Sequence, residues 1–232
     1  VLVHANYFSL GGIDRSDIIT LPSSSFMRIF LEQLCIVGVN LFILISGWFG
    51  IKPTVKGAIS LLYQALFYSI LILAAGILIG IPIPKDEMKE VFYFSGFYWF
   101  IPAYLCLYVL SPILNSFIEH STRNQLRQIL IAFFFLEFIY GWITNKASID
   151  GGYSTLSFIG IYLLARYVNK YSNSLKSINP TISLGCYFII TLITTAIAFF
   201  GIKYTGHGFS TLKYCSPFVI SASLFLFLFF QR

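Results

Sequence analysis

Long apolar stretches alternate with short polar ones along the whole chain. A membrane-spanning helix needs about 20 mostly apolar residues, and seven stretches reach or approach that length after a shorter one at the start. The pattern therefore predicts an all-α, polytopic transmembrane helix bundle that forms a single membrane-embedded domain over residues 1–232. The predicted spans are 1–10 (partial), 26–50, 58–81, 93–115, 126–144, 153–170, 180–201 and 213–231.

The composition supports this interpretation. Hydrophobic residues make up 57% of the chain and charged residues only 10%, whereas a soluble domain carries about 25% charged residues. The net charge of +6 comes from basic residues between the apolar stretches, which argues against a nucleic-acid partner. The four cysteines are scattered without a CxxC spacing, so we interpret them as small apolar residues rather than metal ligands or disulfides.

Both chain ends lie beside apolar stretches. The sequence opens at Val1 within one and stops directly after another. We therefore expect the sequence to be truncated at both ends, with part of the first helix and one or more C-terminal helices missing.

The loops divide into two sets when the predicted spans alternate across a membrane. The two sets carry eight and seven Lys or Arg residues, and the second also holds most of the acids. The positive-inside rule counts cations, so it favours a cytoplasmic location for the first set. This first set comprises Lys52, Lys56, Arg123, Arg127, Arg166, Lys170, Lys176 and Arg232.

Two ionisable residues within predicted spans are candidates for chemistry. A histidine such as His4 can take a proton from a hydroxyl and return it, but it can equally be a neutral imidazole bonded to a neighbouring helix. Glu32 requires a partner, a proton or water at its position. It can pair with Arg28 one helical turn earlier, or it can orient His4 as the acid of a catalytic triad does.

The second span closes on residues 39–49, which read VNLFILISGWF. Ser46 would act as a nucleophile only with a base within hydrogen-bond reach, and a Ser-Gly step in a membrane helix more often marks close packing or a bend. We therefore assign Ser46 to the wall of a pocket. Asn40 is an amide within the same span and is expected to bridge helices. Glu137, in the predicted span 126–144, is the most isolated carboxyl.

Aromatic and basic residues supply further candidates. Trp99 and Tyr104 flank Pro102, and a proline within a span favours a kink and a cavity. Arg123 and Arg127 belong to the basic loops and can face lipid headgroups or the phosphates of an acyl-CoA. The chain has no Walker loop, no GxGxxG, no HExxH and no metal-binding cluster, so neither a nucleotide-driven pump nor a metalloenzyme is indicated.

Three segments resemble acyltransferase family 3, the integral membrane proteins that include bacterial polysaccharide O-acetyltransferases. Residues 39–49 resemble the family segment V-x-L-F-F-x-x-S-G-F/Y, and residues 99–104 (WFIPAY) resemble its W-F-L-x-x-L helix. His4 resembles the histidine that closes the family's first helix, ten positions after a basic residue that would precede Val1. Weaker similarity continues through residues 158–162 and 215–220.

The resemblance implies a multi-pass protein of the bacterial inner membrane that transfers an acyl group, typically acetyl, from acyl-CoA to a hydroxyl of a cell-surface glycan. No bound cofactor is implied; the partners are acyl-CoA, the glycan acceptor and membrane lipid. His4 would be the general base or acyl carrier, with Glu32 as its orienter or acid–base partner. The substrate path would involve Asn40, Ser46, Trp99, Tyr104, Arg123 and Arg127. The alternative is a transporter or flippase for a polysaccharide or lipid intermediate, since such proteins also place ionisable residues around a central path.

Overall fold

The computed structural model describes residues 6, 10–80, 89–90, 99–146 and 149–231. All regular structure in these residues is helical, which confirms the predicted all-α class. The helices are α1 (Arg15–Thr20), α2 (Pro22–Cys35), α3 (Gly38–Phe49), α4 (Val55–Leu78), α5 (Phe100–His120), α6 (Arg123–Leu136), α7 (Thr155–Tyr171), α8 (Asn173–Lys176), α9 (Pro180–Thr205) and α10 (Pro217–Phe230). A π-helical segment, Glu137–Ile143, continues α6.

Five helical stretches among the described residues are long and apolar enough to cross a membrane. They are Pro22–Phe49, Val55–Leu78, Phe100–His120, Arg123–Ile143 and Pro180–Thr205. The first of them is interrupted by a short turn at Ile36 and Val37, between α2 and α3. Helix α10, with 14 residues, is apolar but shorter, and α7 has 17 residues.

Helix α7 lies at the centre of the bundle. It packs against α3, α5 and α6, while α10 packs against α3 and α9, and α2 packs along α9. Phe158 and Tyr162 are the largest side chains that α7 buries completely. Close contact between α3 and α7 depends on Gly47, because a Cβ there would lie 2.7 Å from Ala165 Cβ and 2.8 Å from Tyr162 O. The Ser46-Gly47 step is therefore a site of close helix packing, and the turn between α2 and α3 lies earlier, at Ile36 and Val37.

Local signals place several helix starts. Thr122 and Gln125 form a capping box at the start of α6. Thr54 and Ser154 cap α4 and α7 through their hydroxyl groups. Pro180 occupies the first turn of α9, where its missing N–H costs no hydrogen bond. Gly206 ends α9 with a φ of 76°, in the left-handed region that favours glycine.

The expected kink at Pro102 is wrong for the described helix. Helix α5 begins at Phe100, so Pro102 lies in its first turn, where few backbone N–H groups have intrahelical partners. The proline inside α5 is Pro112. Pro112 cannot bond to the Tyr108 carbonyl, and the Ser111 hydroxyl donates to that carbonyl instead at 2.7 Å.

Candidate functional site

Asn6 connects the two charged side chains on α2. Its amide nitrogen donates to Glu32 Oε1 at 2.8 Å, and its amide oxygen accepts from Arg28 Nε at 3.2 Å. Arg28 also donates to the Gly11 carbonyl at 2.7 Å. The buried carboxyl of Glu32 thus receives a hydrogen bond from an amide placed between it and Arg28. From the sequence, the predicted partners of Glu32 were Arg28 and His4.

The proposed general base, His4, lies outside the described residues. Asn6 follows it by two positions in the sequence. The Glu32–His4 relationship therefore stays a prediction, whereas the Glu32–Asn6 bond is a feature of the structure.

Asn40 and Trp99 meet the same residue, Tyr214, on the segment that precedes α10. Asn40 is fully buried, and its amide nitrogen donates to the Tyr214 carbonyl at 2.9 Å. The Trp99 ring centre lies 5.5 Å from that of Tyr214 and 4.5 Å from that of Tyr153. We refer to Trp99, Tyr153 and Tyr214 as the aromatic cluster. Burial, followed by the neighbouring Tyr153, raises the pKa of Tyr214, so its phenol is neutral at physiological pH.

Ser46 and Tyr104 are brought together one helical turn and a half beyond Asn40. Their hydroxyl groups lie 3.2 Å apart, and the Ser46 hydroxyl also donates to the Phe42 carbonyl at 2.9 Å. The Phe42 ring packs edge-on against Tyr104 at 5.1 Å. These hydrogen-bond partners are a phenol and a carbonyl, neither of which is the general base that a serine nucleophile requires. These contacts do not support Ser46 as a nucleophile, and its place in the wall of a pocket stays a prediction.

A closed hydrogen-bond network holds the loop that follows α3. The Tyr162 hydroxyl accepts from Ile51 N at 3.1 Å and donates to Asn115 Oδ1 at 2.6 Å. The Asn115 amide then donates to the Ile51 carbonyl at 2.9 Å. Neither Asn115 nor Tyr162 was predicted as a functional residue, although an asparagine within an apolar span is a signal that the sequence offers.

The described members of the first set of basic residues, from Lys52 to Lys176, lie at one end of the bundle, which we call the basic end. Lys170 donates to the carbonyls of Ile118 and Glu119, at 2.7 and 3.3 Å, and so caps the end of α5. Arg123 and Arg127 are exposed at the start of α6. Arg166 is half-buried against Gly50, and its Nε has no hydrogen-bond partner in the described structure.

Glu137 is a buried carboxyl at the start of the π-helical segment. Its side chain is 2% exposed, and neither oxygen has a hydrogen-bond partner among the described residues. Ser157 and Cys215 are its polar neighbours. Burial, followed by the charge of Glu137, raises the pKa of the Cys215 thiol, so that cysteine is protonated and unreactive. The sequence singled out Glu137 as isolated, and the structure places it in protein rather than in lipid.

The described residues contain no group of three His, Cys, Asp or Glu side chains that could hold a metal ion. Instead, the polar side chains form two groups along α2 and α3. Glu32 and Asn6 lie toward one end, and Ser46, Tyr104 and the basic end lie toward the other. Asn40 and the aromatic cluster lie between them, over about 20 Å of helix from Glu32 to Ser46.

Comparison with known protein families identifies the family of the chain. The family model of acyltransferase family 3, described as an acyltransferase domain, matches residues 1–232. Neither the curated proteins nor the solved structures gave a match. The match spans the whole chain and confirms the resemblance drawn from residues 39–49 and 99–104. The chain belongs to acyltransferase family 3 and is a membrane acyltransferase.

Proposed function

We propose that the protein transfers an acyl group, acetyl in the first instance, from acyl-CoA to a hydroxyl of a cell-surface glycan. The observation that carries the proposal is the row of polar side chains along α2 and α3, from Glu32 through Asn40 to Ser46. This row lies inside a helix bundle of the acyltransferase family. A donor that arrives at one end and an acceptor at the other can meet along such a path.

The donor is proposed to bind at the basic end. Acyl-CoA carries phosphates, and Arg123, Arg127, Lys52 and Lys56 are exposed cations at that end. Arg166 adds a half-buried guanidinium whose Nε has no hydrogen-bond partner in the described part of the chain. A cytoplasmic location for this end, in the inner membrane of a bacterium, follows from the proposed donor and agrees with the cation distribution.

In the proposed reaction, His4 takes the proton of the acceptor hydroxyl as its oxygen attacks the thioester carbonyl. The C–S bond breaks, and the proton passes from the imidazolium to the leaving CoA thiolate. General-base assistance contributes about a hundred- to ten-thousand-fold in rate. Glu32, together with its partner Asn6, is proposed to hold the histidine in its working orientation.

The test uses the full-length protein, labelled acetyl-CoA and recovery of alkali-labile label in surface glycan. His4→Ala is expected to reduce transfer by the general-base factor, about a hundredfold or more. His207→Ala is the matched control, because His207 is exposed in the loop after α9 and should leave transfer intact. Full activity in His4→Ala would show that His4 is not the general base. Failure of the wild-type protein to transfer label from any of several acyl-CoA donors would favour transport instead.

A further inference from the structure

Three buried side chains in one region have oxygen atoms without a hydrogen-bond partner among the residues that the structure describes. They are Asn40 Oδ1, both carboxyl oxygens of Glu137 and Ser216 Oγ. Asn40 and Ser216 are 0% exposed and Glu137 is 2% exposed. A buried polar group without a partner destabilises the folded protein, and such groups are uncommon in native structures. Three of them together indicate that this region is built to receive hydrogen-bond donors.

The segment 214–216 joins these side chains. Asn40 bonds to the Tyr214 carbonyl at 2.9 Å, and Gly141, in the same π-helical turn as Glu137, packs against the Cys215 sulfur. Ser216 is the next residue. Consecutive Cα atoms lie about 3.8 Å apart, so Asn40 and Glu137 flank a very short piece of chain. All three unpartnered groups therefore lie beside it.

The aromatic cluster lies on the same segment. Tyr214 belongs to the cluster and to the segment, with ring centres 4.8 Å from Tyr153 and 5.5 Å from Trp99. Trp99 also packs against Phe158, the neighbour of Ser157 on α7. Tyr153 is 42% exposed, so one side of the cluster reaches the surface of the bundle. Small-molecule sites combine aromatic walls with a few polar groups in this way.

The backbone at Glu137 is also unusual. Glu137 begins a π-helical turn, a form that recurs at functional sites because it re-aims side chains. Gly141 in that turn allows the backbone to approach Ile149 and Cys215, where a Cβ would lie 3.2 Å from the Cys215 sulfur. The tight packing holds Glu137 in position next to the segment 214–216.

We propose that Glu137, Asn40 and Ser216 form a binding site for the hydroxyl groups of the acceptor, with the aromatic cluster against the apolar face of its ring. The ligand class is a neutral, polyhydroxylated ring, whose O–H groups supply the donors that these oxygens lack. The inference rests on the proposed function, since it names the acceptor end of the same reaction path. It assigns to Glu137 a binding role that leaves the proton transfer to His4.

Stability and activity respond in opposite directions if this assignment is correct. Replacing a buried, unpartnered carboxyl by an apolar side chain of similar volume removes a desolvation cost. Glu137→Leu is therefore expected to raise the melting temperature of the full-length protein. Transfer to surface glycan should fall about ten- to a hundredfold, because a hydrogen bond to a charged group is lost. If Glu137 only stabilised the fold, its replacement would lower both the melting temperature and the transfer activity.

Two further variants make the comparison specific. Glu137→Gln keeps the size and one accepting oxygen, so it should retain part of the transfer activity. Ser183→Ala removes another fully buried oxygen without a partner among the described residues, near the start of α9, and should leave transfer unchanged. Binding of acetyl-CoA, measured by calorimetry, should be the same in all variants because the donor occupies the basic end.

The outcomes separate the two proposals. Wild-type transfer with equal transfer in Glu137→Leu overturns the acceptor site and leaves the proposed function standing. Lower stability and lower transfer together in both Glu137 variants also overturn it, in favour of a structural role. Absence of transfer by the wild-type protein overturns the proposed function and the acceptor site with it.

Discussion

Replacing Gly47 by alanine tests the closest contact in the bundle. The new Cβ would lie 2.7 Å from Ala165 Cβ and 2.8 Å from the Tyr162 carbonyl oxygen. Ordinary contacts between carbon atoms are about 3.5–4.0 Å, so α3 and α7 must separate by roughly 1 Å. Added methyl groups in a well-packed interior cost about 1–3 kcal/mol, and α7 is the most centrally placed helix.

The loss of stability in Gly47→Ala is best measured against a matched variant. Gly185→Ala lies inside α9, where an added Cβ meets no atom within 4 Å. Both substitutions gain the higher helix propensity of alanine, about 1 kcal/mol, so this term cancels when the two are compared. Gly47→Ala should therefore be less stable than Gly185→Ala by about 1–3 kcal/mol. For a protein of this size the melting temperatures should differ by roughly 2–12 °C.

The assay is thermal unfolding of the full-length protein in detergent, followed by circular dichroism. A second substitution, Ala165→Gly, removes one of the two contacting atoms and leaves the Tyr162 carbonyl, so it should restore part of the loss in Gly47→Ala. Equal melting temperatures for Gly47→Ala and Gly185→Ala would refute the close-packing argument. Full restoration by Ala165→Gly would show that the carbonyl contact is unimportant.

Three other predictions concern hydrogen bonds. Asn40→Ala removes the donor to Tyr214 and should lower stability by about 1–3 kcal/mol, measured by thermal unfolding, and also reduce acyl transfer. Tyr162→Phe breaks two hydrogen bonds and should cost about 1–3 kcal/mol, more than Tyr171→Phe, which breaks one. The hydrogen bond from the Asp17 amide holds the pKa of Asp14 below its ordinary 3.8. The charged Asp14 side chain therefore stabilises the start of α1 above pH 3.8, and this stabilisation is lost as the pH falls through the lowered pKa. Hydrogen exchange over residues 15–20, corrected for its intrinsic pH dependence, should show this loss in the wild type and not in Asp14→Asn.

Each of these has a contradicting result. Asn40→Ala with wild-type stability would mean that the Tyr214 carbonyl finds another donor. Equal losses of stability in Tyr162→Phe and Tyr171→Phe would show that the two hydrogen bonds of Tyr162 stabilise the protein no more than the single bond of Tyr171. Identical exchange in the wild type and Asp14→Asn at low pH would mean that the charge of Asp14 is not used by the cap.

Helix class, helix starts and family were accessible from sequence because they depend on local features. A span is recognised from the length of an apolar stretch, and a capping residue such as Thr122 acts on a backbone N–H three positions away. The Ser46-Gly47 motif identified a packing site for a similar reason, since only a small residue permits a close approach. The family resemblance likewise rested on residues 39–49 and 99–104, each a continuous stretch.

Side-chain partners were decided by tertiary structure. Apolar helices satisfy their backbone hydrogen bonds internally, so nothing in the sequence states how each helix is rotated or which neighbour it meets. Glu32 therefore bonds to Asn6, 26 positions away, although Arg28 was the obvious partner by spacing. Asn40 likewise reaches Tyr214, 174 positions away. The sequence by itself determined a membrane helix bundle and its family, and only the packing of those helices gathered Asn40, Glu137 and Ser216 around one short segment.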